Sequence, residues 1–180
     1  VGCVEPSIIG AFGRNNGGFL NLARIVDFAL NDGRDRLTGE QLGLHTGDPH
    51  NFTCIEDVME AVKTQLLYFI KLLATEDQII DVVQSELTPH VLVSTMIPGC
   101  IEKGKDITAG GAIYHTTTPF GAGLATATDS LAAIKKAVFE DRSVSMDELL
   151  HALDTDFEGM EGEKIRQKLL ATPKFGNDDD

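Results

Sequence analysis

Positive charge is scarce in this chain. The 15 Lys and Arg residues face 28 Asp and Glu, for a formal net charge of −13. Such a surface repels a phosphate backbone and offers no basic stripe to seat one, which argues against nucleic-acid binding. Long apolar runs are missing too. None approaches the roughly 20 residues of a membrane span, and the N-terminus lacks the basic and apolar regions of a signal peptide, so no membrane association is expected. Cysteine is confined to Cys3, Cys54 and Cys100. An odd set at wide spacing fits neither a disulfide framework nor a zinc module of paired CxxC type, and a reducing cytoplasm is the simpler setting. Any cysteine chemistry then rests on one thiol. There is no internal repeat and no low-complexity stretch beyond the terminal Asp178, Asp179 and Asp180.

What is present suits one soluble domain: 180 residues, 42% of them hydrophobic, are enough to build an apolar core. Val1 stands where an initiator methionine would, and a cysteine motif lies almost on the terminus, so an excerpt of a larger protein is expected. Ser7 to Gly18 is glycine-rich and reads as a loop. Leu22, Ile25, Val26 and Ala29 recur at helical spacing within 19–30, and Asn31, Asp32 and Gly33 supply a stop. Residues 33–52 read as a surface excursion. Thr53 and Glu56 form a capping-box signature before a long apolar pattern that runs to Leu87, as one bent helix or two consecutive ones. The run 91–97 fits strand or helix. The β-branched stretch 107–119, with Gly110 and Gly111, predicts a strand after a close-packed turn. Helices are expected over 122–139, after the Ser145/Glu148 cap, and before Pro173. Alternating short strands and helices indicate an α/β architecture.

Among candidate functional residues, Cys3 and Glu5 stand first. Separated by one residue, they point to the same side of an extended chain and can act on neighbouring atoms of one substrate. The alternative is a thiol packed as a small hydrophobe beside a solvated carboxylate. A carboxylate neighbour raises a thiol pKa, so chemistry that starts from the neutral thiol suits this pair better than thiolate attack. Arg14 could pair with an anionic substrate group or serve as a surface cation. His45 and His50 flank Gly-Asp-Pro, where a metal site with Asp48 competes with solvated loop histidines, the favoured reading; no metal is expected. Cys54 and Cys100 read as packed. His115, followed by Thr116, Thr117 and Thr118, offers polar tips or belongs to an ordinary threonine-rich strand.

Several stretches together carry a family resemblance. GCVEP at Gly2–Pro6 resembles the active-site cysteine motif of glycyl radical enzymes, the pyruvate formate-lyase superfamily. The likeness continues in order through FALNDGRD at Phe28–Asp35, TGDPHNF at Thr46–Phe52, GGAIY at Gly110–Tyr114, GLATATDSLAAIKKAVF at Gly123–Phe139 and PKFGNDDD at Pro173–Asp180. It implies that residues 1–180 are part of a ten-stranded α/β barrel, with residues 1–18 around the finger loop that carries the cysteine. It also implies a homodimer and anaerobic cytoplasmic metabolism. No cofactor is then bound directly. A glycyl radical, in an RVxGY-like stretch expected beyond this chain, would be installed by an S-adenosylmethionine activating enzyme bearing an iron–sulfur cluster. Cys3 becomes the thiyl position and Glu5 the general acid/base, with Arg14, Tyr114 and His115 as substrate-binding candidates. Without the radical loop, the fragment alone is expected to be inactive.

Departures narrow the chemistry that the resemblance implies. Gly2 precedes Cys3 where pyruvate formate-lyase has two adjacent cysteines, and Glu5 is present where benzylsuccinate synthase relatives lack a glutamate. Many relatives read GGARYN where this chain has Ile113 and His115 within GGAIYH. The expectation is a radical dehydratase, or a related C–O or C–N eliminase, acting on a small hydroxylated substrate. The runner-up is an arylacetate decarboxylase in which Arg14 or His115 positions the carboxylate. A noncatalytic structural fragment or degenerate relative is the alternative of another class.

Overall fold

A computed structural model describes residues 8–13, 17–117 and 119–177 of the chain. They form two compact units, each assembled from two pieces of sequence. One combines Val1–Leu20 with Ile70–Phe120, and the other combines Asn21–Phe69 with Gly121–Asp180.

The second unit holds the larger core. Helix α1 (Leu22–Ala29) starts where the Asn21 side chain accepts the Arg24 N–H, 3.1 Å away, and it buries Ile25, Val26, Phe28 and Ala29. Its stop is the expected one: Asp32 and Gly33 take positive φ values of 48° and 79° and turn the chain out of the helix. The excursion that follows contains a single 3-10 turn, Pro49–Asn51. Helix α2 (Ile55–Leu87) is one continuous helix rather than two. Its cap is built by Asp57 and not by Glu56, because the Asp57 carboxylate accepts from the Thr53 N–H, the Thr53 hydroxyl and the Cys54 N–H at 2.7–3.2 Å. Within this unit α2 buries Val58, Ala61 and Gln65 along one face.

Helix α5 (Leu124–Ile134) runs directly into a π-helical stretch, Lys135–Glu140. Helix α6 (Met146–Asp154) carries the expected Ser145/Glu148 capping box, and α7 (Gly159–Leu170) is a turn longer than its apolar pattern marks. Val26, Leu30, Val58, Ile134, Val138, Val144, Leu149 and Leu150 meet in one core, each at most 8% exposed. Burial of this kind contributes roughly 1.5–3 kcal/mol for each large aliphatic side chain.

The first unit contains the second half of α2 and two short helices, α3 (Val91–Ser94) and α4 (Cys100–Lys103). The ambiguous run 91–97 therefore opens as helix. A small core joins Cys100, Ile107 and Ala112, with Ile97 against it. Strand in the described residues is limited to β1 (Phe19–Asn21) and β2 (Phe120–Ala122), which pair with each other, and to two isolated bridges. The α/β alternation expected from sequence is thus replaced here by a mainly helical chain with one small sheet. Among the described residues the strand predicted over 107–119 is not formed: Ile107–Ala109 is a 3-10 turn, and Tyr114 makes an isolated bridge. No described helix is long and apolar enough to cross a membrane.

Candidate functional site

The expected site residues Cys3, Glu5 and Arg14 lie outside the described residues. Tyr114 and His115 lie within them, and the geometry around these two begins with the turn that delivers them. Asp106 accepts the Thr108 N–H at 2.9 Å and the Thr108 hydroxyl at 2.7 Å. The Ser94 hydroxyl stands 2.7 Å from the same carboxylate and accepts the Ile107 N–H at 2.8 Å. Partial burial pulls the Asp106 carboxyl upward, but the bonds from Thr108 and Ser94 outweigh it and hold the group well below the usual carboxylate range.

Gly111 is confined tightly. A Cβ there would fall 2.2 Å from the Lys105 carbonyl oxygen and 2.9 Å from Cys100 Sγ. The close-packed turn read from Gly110 and Gly111 therefore exists, and its neighbours are Lys105, Asp106 and Cys100. Lys103 Nζ then donates to the Ala112 carbonyl at 2.5 Å. These contacts fix the chain as it enters Ile113, Tyr114 and His115.

The loop leg Ile8–Gly13, which we term the strap, docks on that segment. Ala11 donates to the Ile8 carbonyl at 3.0 Å, with Gly10 at φ 74° closing the turn. The strap then brackets Tyr114: its N–H donates to the Ala11 carbonyl at 3.0 Å, and its carbonyl accepts the Gly13 N–H at 2.9 Å, forming a parallel bridge to Phe12. The Phe12 and Tyr114 rings lie 5.7 Å apart. Gly13 backs onto the next residues. A Cβ at that position would sit 3.0 Å from Ala112 Cβ and 3.3 Å from His115 Nδ1.

His115 is anchored from α2, its Nε2 lying 3.4 Å from Asp81 Oδ2. Its Nδ1 is buried and has no hydrogen-bond partner among the described residues. Sequence reading singled out His115 and missed Asp81. The available signal was Asp77 and Asp81, one helical turn apart within the apolar pattern of Ile79, Ile80 and Val83.

The remaining candidates have local partners. His45 Nδ1 pairs with Asp32 at 2.8 Å and His50 Nδ1 with Asp147 at 2.6 Å, so the two histidines turn to different carboxylates, and no group of metal-ligating residues occurs among the described residues. Cys100 is buried and Cys54 partly buried, both as free thiols. A cleft of about 680 Å³ in the second unit is bordered by Arg24, Arg166 and Lys174. Its cations are already engaged: Arg24 with Asp27 and Asp35, Arg166 with Glu163, and Lys174 with the Leu169 and Thr172 carbonyls.

The sequence pattern of the pyruvate formate lyase-like family matches residues 1–180. The trans-4-hydroxy-L-proline dehydratase of Clostridioides difficile is 42% identical over 179 residues, covering 99% of this chain and 23% of that enzyme. The crystal structure of the C. difficile hydroxyproline dehydratase with trans-4-hydroxy-L-proline bound superposes with a TM-score of 0.91 at 41% identity, over 99% of this chain and 23% of that one. The glycerol-bound B12-independent glycerol dehydratase of Clostridium butyricum gives 0.91 at 38% identity, over 99% and 22%. This chain therefore spans under a quarter of the length of these relatives. With the motif order, the near-complete coverage and the two superpositions in agreement, the chain belongs to the pyruvate formate lyase-like family of glycyl radical enzymes.

Proposed function

We propose that the chain is the cysteine-bearing portion of a radical lyase that eliminates water, or a related leaving group, from a small hydroxylated molecule. The observation that carries this reading is GCVEP at Gly2–Pro6, in a chain whose relatives at 42% and 38% identity are dehydratases. A glycine radical outside this chain, installed by an S-adenosylmethionine iron–sulfur enzyme, would supply the oxidising equivalent. Cys3 first gives up a hydrogen atom from sulfur. Its thiyl takes one hydrogen atom from a substrate carbon next to the leaving group, and returns it to carbon after that group departs. Glu5 moves the accompanying proton between the substrate hydroxyl and the departing oxygen, so that one water leaves for each substrate turned over. Hydrogen-atom transfer does not require a thiolate, which reconciles a reactive Cys3 with a carboxylate two residues away.

In this reading Arg14 and Tyr114 are candidates for contact with the substrate, and His115 stands against Gly13. The complete α/β barrel, a homodimer and a cytoplasmic setting are parts of the same proposal.

The test uses the full-length parent protein after anaerobic activation. Cys3→Ser should abolish turnover, and Glu5→Gln should lower kcat by about 100-fold or more, as expected for loss of a general acid/base. A Cys3→Ser protein that keeps turnover would overturn the proposal. Release of carbon dioxide from aromatic acetates, in place of water from hydroxylated substrates, would move the protein to the decarboxylases.

A further inference from the structure

We propose that Asp81 and His115 are positioning residues for the loop that bears Cys3, acting through the strap at Ile8–Gly13. The inference rests on Cys3 being the reacting thiol. Two backbone hydrogen bonds, both to Tyr114, set the height of the strap along the segment it docks on. Bonds clustered on one residue, with the Phe12 and Tyr114 rings 5.7 Å apart beside them, fix the roll of the strap less firmly than its height. What limits the roll is the wall behind Gly13, formed by Ala112 Cβ, the Ile107 carbonyl oxygen and the His115 ring. Ala112 is 1% exposed and cannot recede. The ring can turn about its side-chain bonds, so its orientation decides where the wall stands.

Asp81 sets that orientation. With the carboxylate 3.4 Å from Nε2, we assign the ring proton to Nε2, which leaves the unprotonated Nδ1 facing Gly13. Asp81 projects from the 33-residue α2, so the anchor sits on a regular helix and not on a loop. Gly13 follows Cys3 by ten residues, and on this proposal the setting of the strap bears on the placement of Cys3. A misplacement of about 1 Å at a reacting atom costs on the order of 100-fold in rate. A glycine at 13 suits the same arrangement, because a Cβ there would press on Ala112, the Ile107 carbonyl oxygen and Nδ1.

The experiment uses the full-length parent protein and the variants Asp81→Asn, His115→Ala and His115→Gln, each checked for an unchanged unfolding midpoint. Before activation, iodoacetamide labelling of Cys3 is followed by peptide mass spectrometry, with Cys54 as the internal reference. After activation, kcat and KM are measured at equal radical content by electron paramagnetic resonance. His115→Ala and Asp81→Asn should raise Cys3 labelling about 10-fold relative to Cys54, and should lower kcat about 10- to 100-fold with KM within about 2-fold. His115→Gln, which keeps a planar polar group against Gly13, should recover part of both effects. Unchanged Cys3 labelling in Asp81→Asn and His115→Gln, the two mild variants, overturns the proposal even if His115→Ala fails to fold. A rise in KM at constant kcat overturns it as well, by making His115 a substrate contact. Failure of the lyase reading looks different: Cys3→Ser keeps its turnover while the labelling changes persist.

Discussion

Gln65 pairs with the backbone of Leu44 as a neighbouring strand would. It is fully buried on α2, and its side-chain amide donates to the Leu44 carbonyl at 2.6 Å while its oxygen accepts the Leu44 N–H at 3.0 Å. Both backbone groups of one residue in the 33–52 excursion are thereby satisfied by one side chain, and Gly43 beside it has room for nothing larger, since its Cβ would lie 2.3 Å from Gln65 Oε1. Gln65→Leu keeps the apolar stem and strands both Leu44 groups. It should destabilise the protein by about 2–4 kcal/mol, read as a lower midpoint in urea with an unchanged slope. An unchanged midpoint would show that water reaches Leu44. From sequence, Gln65 is one of many polar residues on α2, and nothing local distinguishes it from a solvated one. Asp81 was hidden for the same reason. Both act on residues distant in sequence, whereas Gly33 and Ser145 act within a few positions and were legible as stop and cap.

At the scale of elements, the apolar periods located α1, α2, α5, α6 and α7, because each buries a face whose spacing is written in its own residues. The strand expected over 107–119 failed for the complementary reason. Strand needs a partner, and over the described residues of this stretch pairing is limited to the Phe12–Tyr114 bridge, so β-branched composition alone did not make a strand. The π-helical end of α5 was equally invisible: Lys135–Glu140 keeps a helical pattern, and its wide turn shows in the Asp141 N–H, which donates to the Lys136 carbonyl five residues back at 2.8 Å. Helix α7 offers a test of packing against propensity. In an open helix Gly→Ala stabilises by roughly 1 kcal/mol. Gly162 is buried, and a Cβ on it would lie 2.5 Å from the carbonyl carbon and oxygen of Phe157, itself held at φ 58°. Gly162→Ala should therefore lower stability by about 1–3 kcal/mol, and calorimetry that finds a higher Tm would show that the start of α7 can move aside at no cost.

For the whole molecule, the titrating groups define a pH profile. Asp32, Asp57 and Glu148 are lowered from their ordinary values near 3.8 and 4.5, and Glu163 falls to about 2. For Asp32, burial acts upward but is outweighed by the bond to His45 and those from Thr46 and Gly47. The dominant causes elsewhere are bonds from Thr53 to Asp57, from Ser145 to Glu148 and from Arg166 to Glu163. Stability from such groups is present above their unfolded values and is lost as pH falls through the folded ones. His50 moves the other way, raised from about 6.5 chiefly by its bond to Asp147. Its contribution is complete below the unfolded value and fades as pH rises through the folded one. The unfolding midpoint should fall steeply below about pH 4 and drift down gently above about pH 6.5. His50→Gln should remove the upper drift alone; a variant that keeps it would place its origin in another group.

The bridge between Phe12 and Tyr114 also has a consequence in time. During synthesis the strap leaves the ribosome roughly 100 residues ahead of the segment that holds it, and at about 5–20 residues per second this is an interval of roughly 5–20 s. For that interval the strap lacks the segment it docks on, so its native setting waits on residues encoded roughly 100 positions after it. The thiol read here as the centre of the chemistry is thus attached to a stretch whose place in the fold is settled by residues not yet made when it emerges.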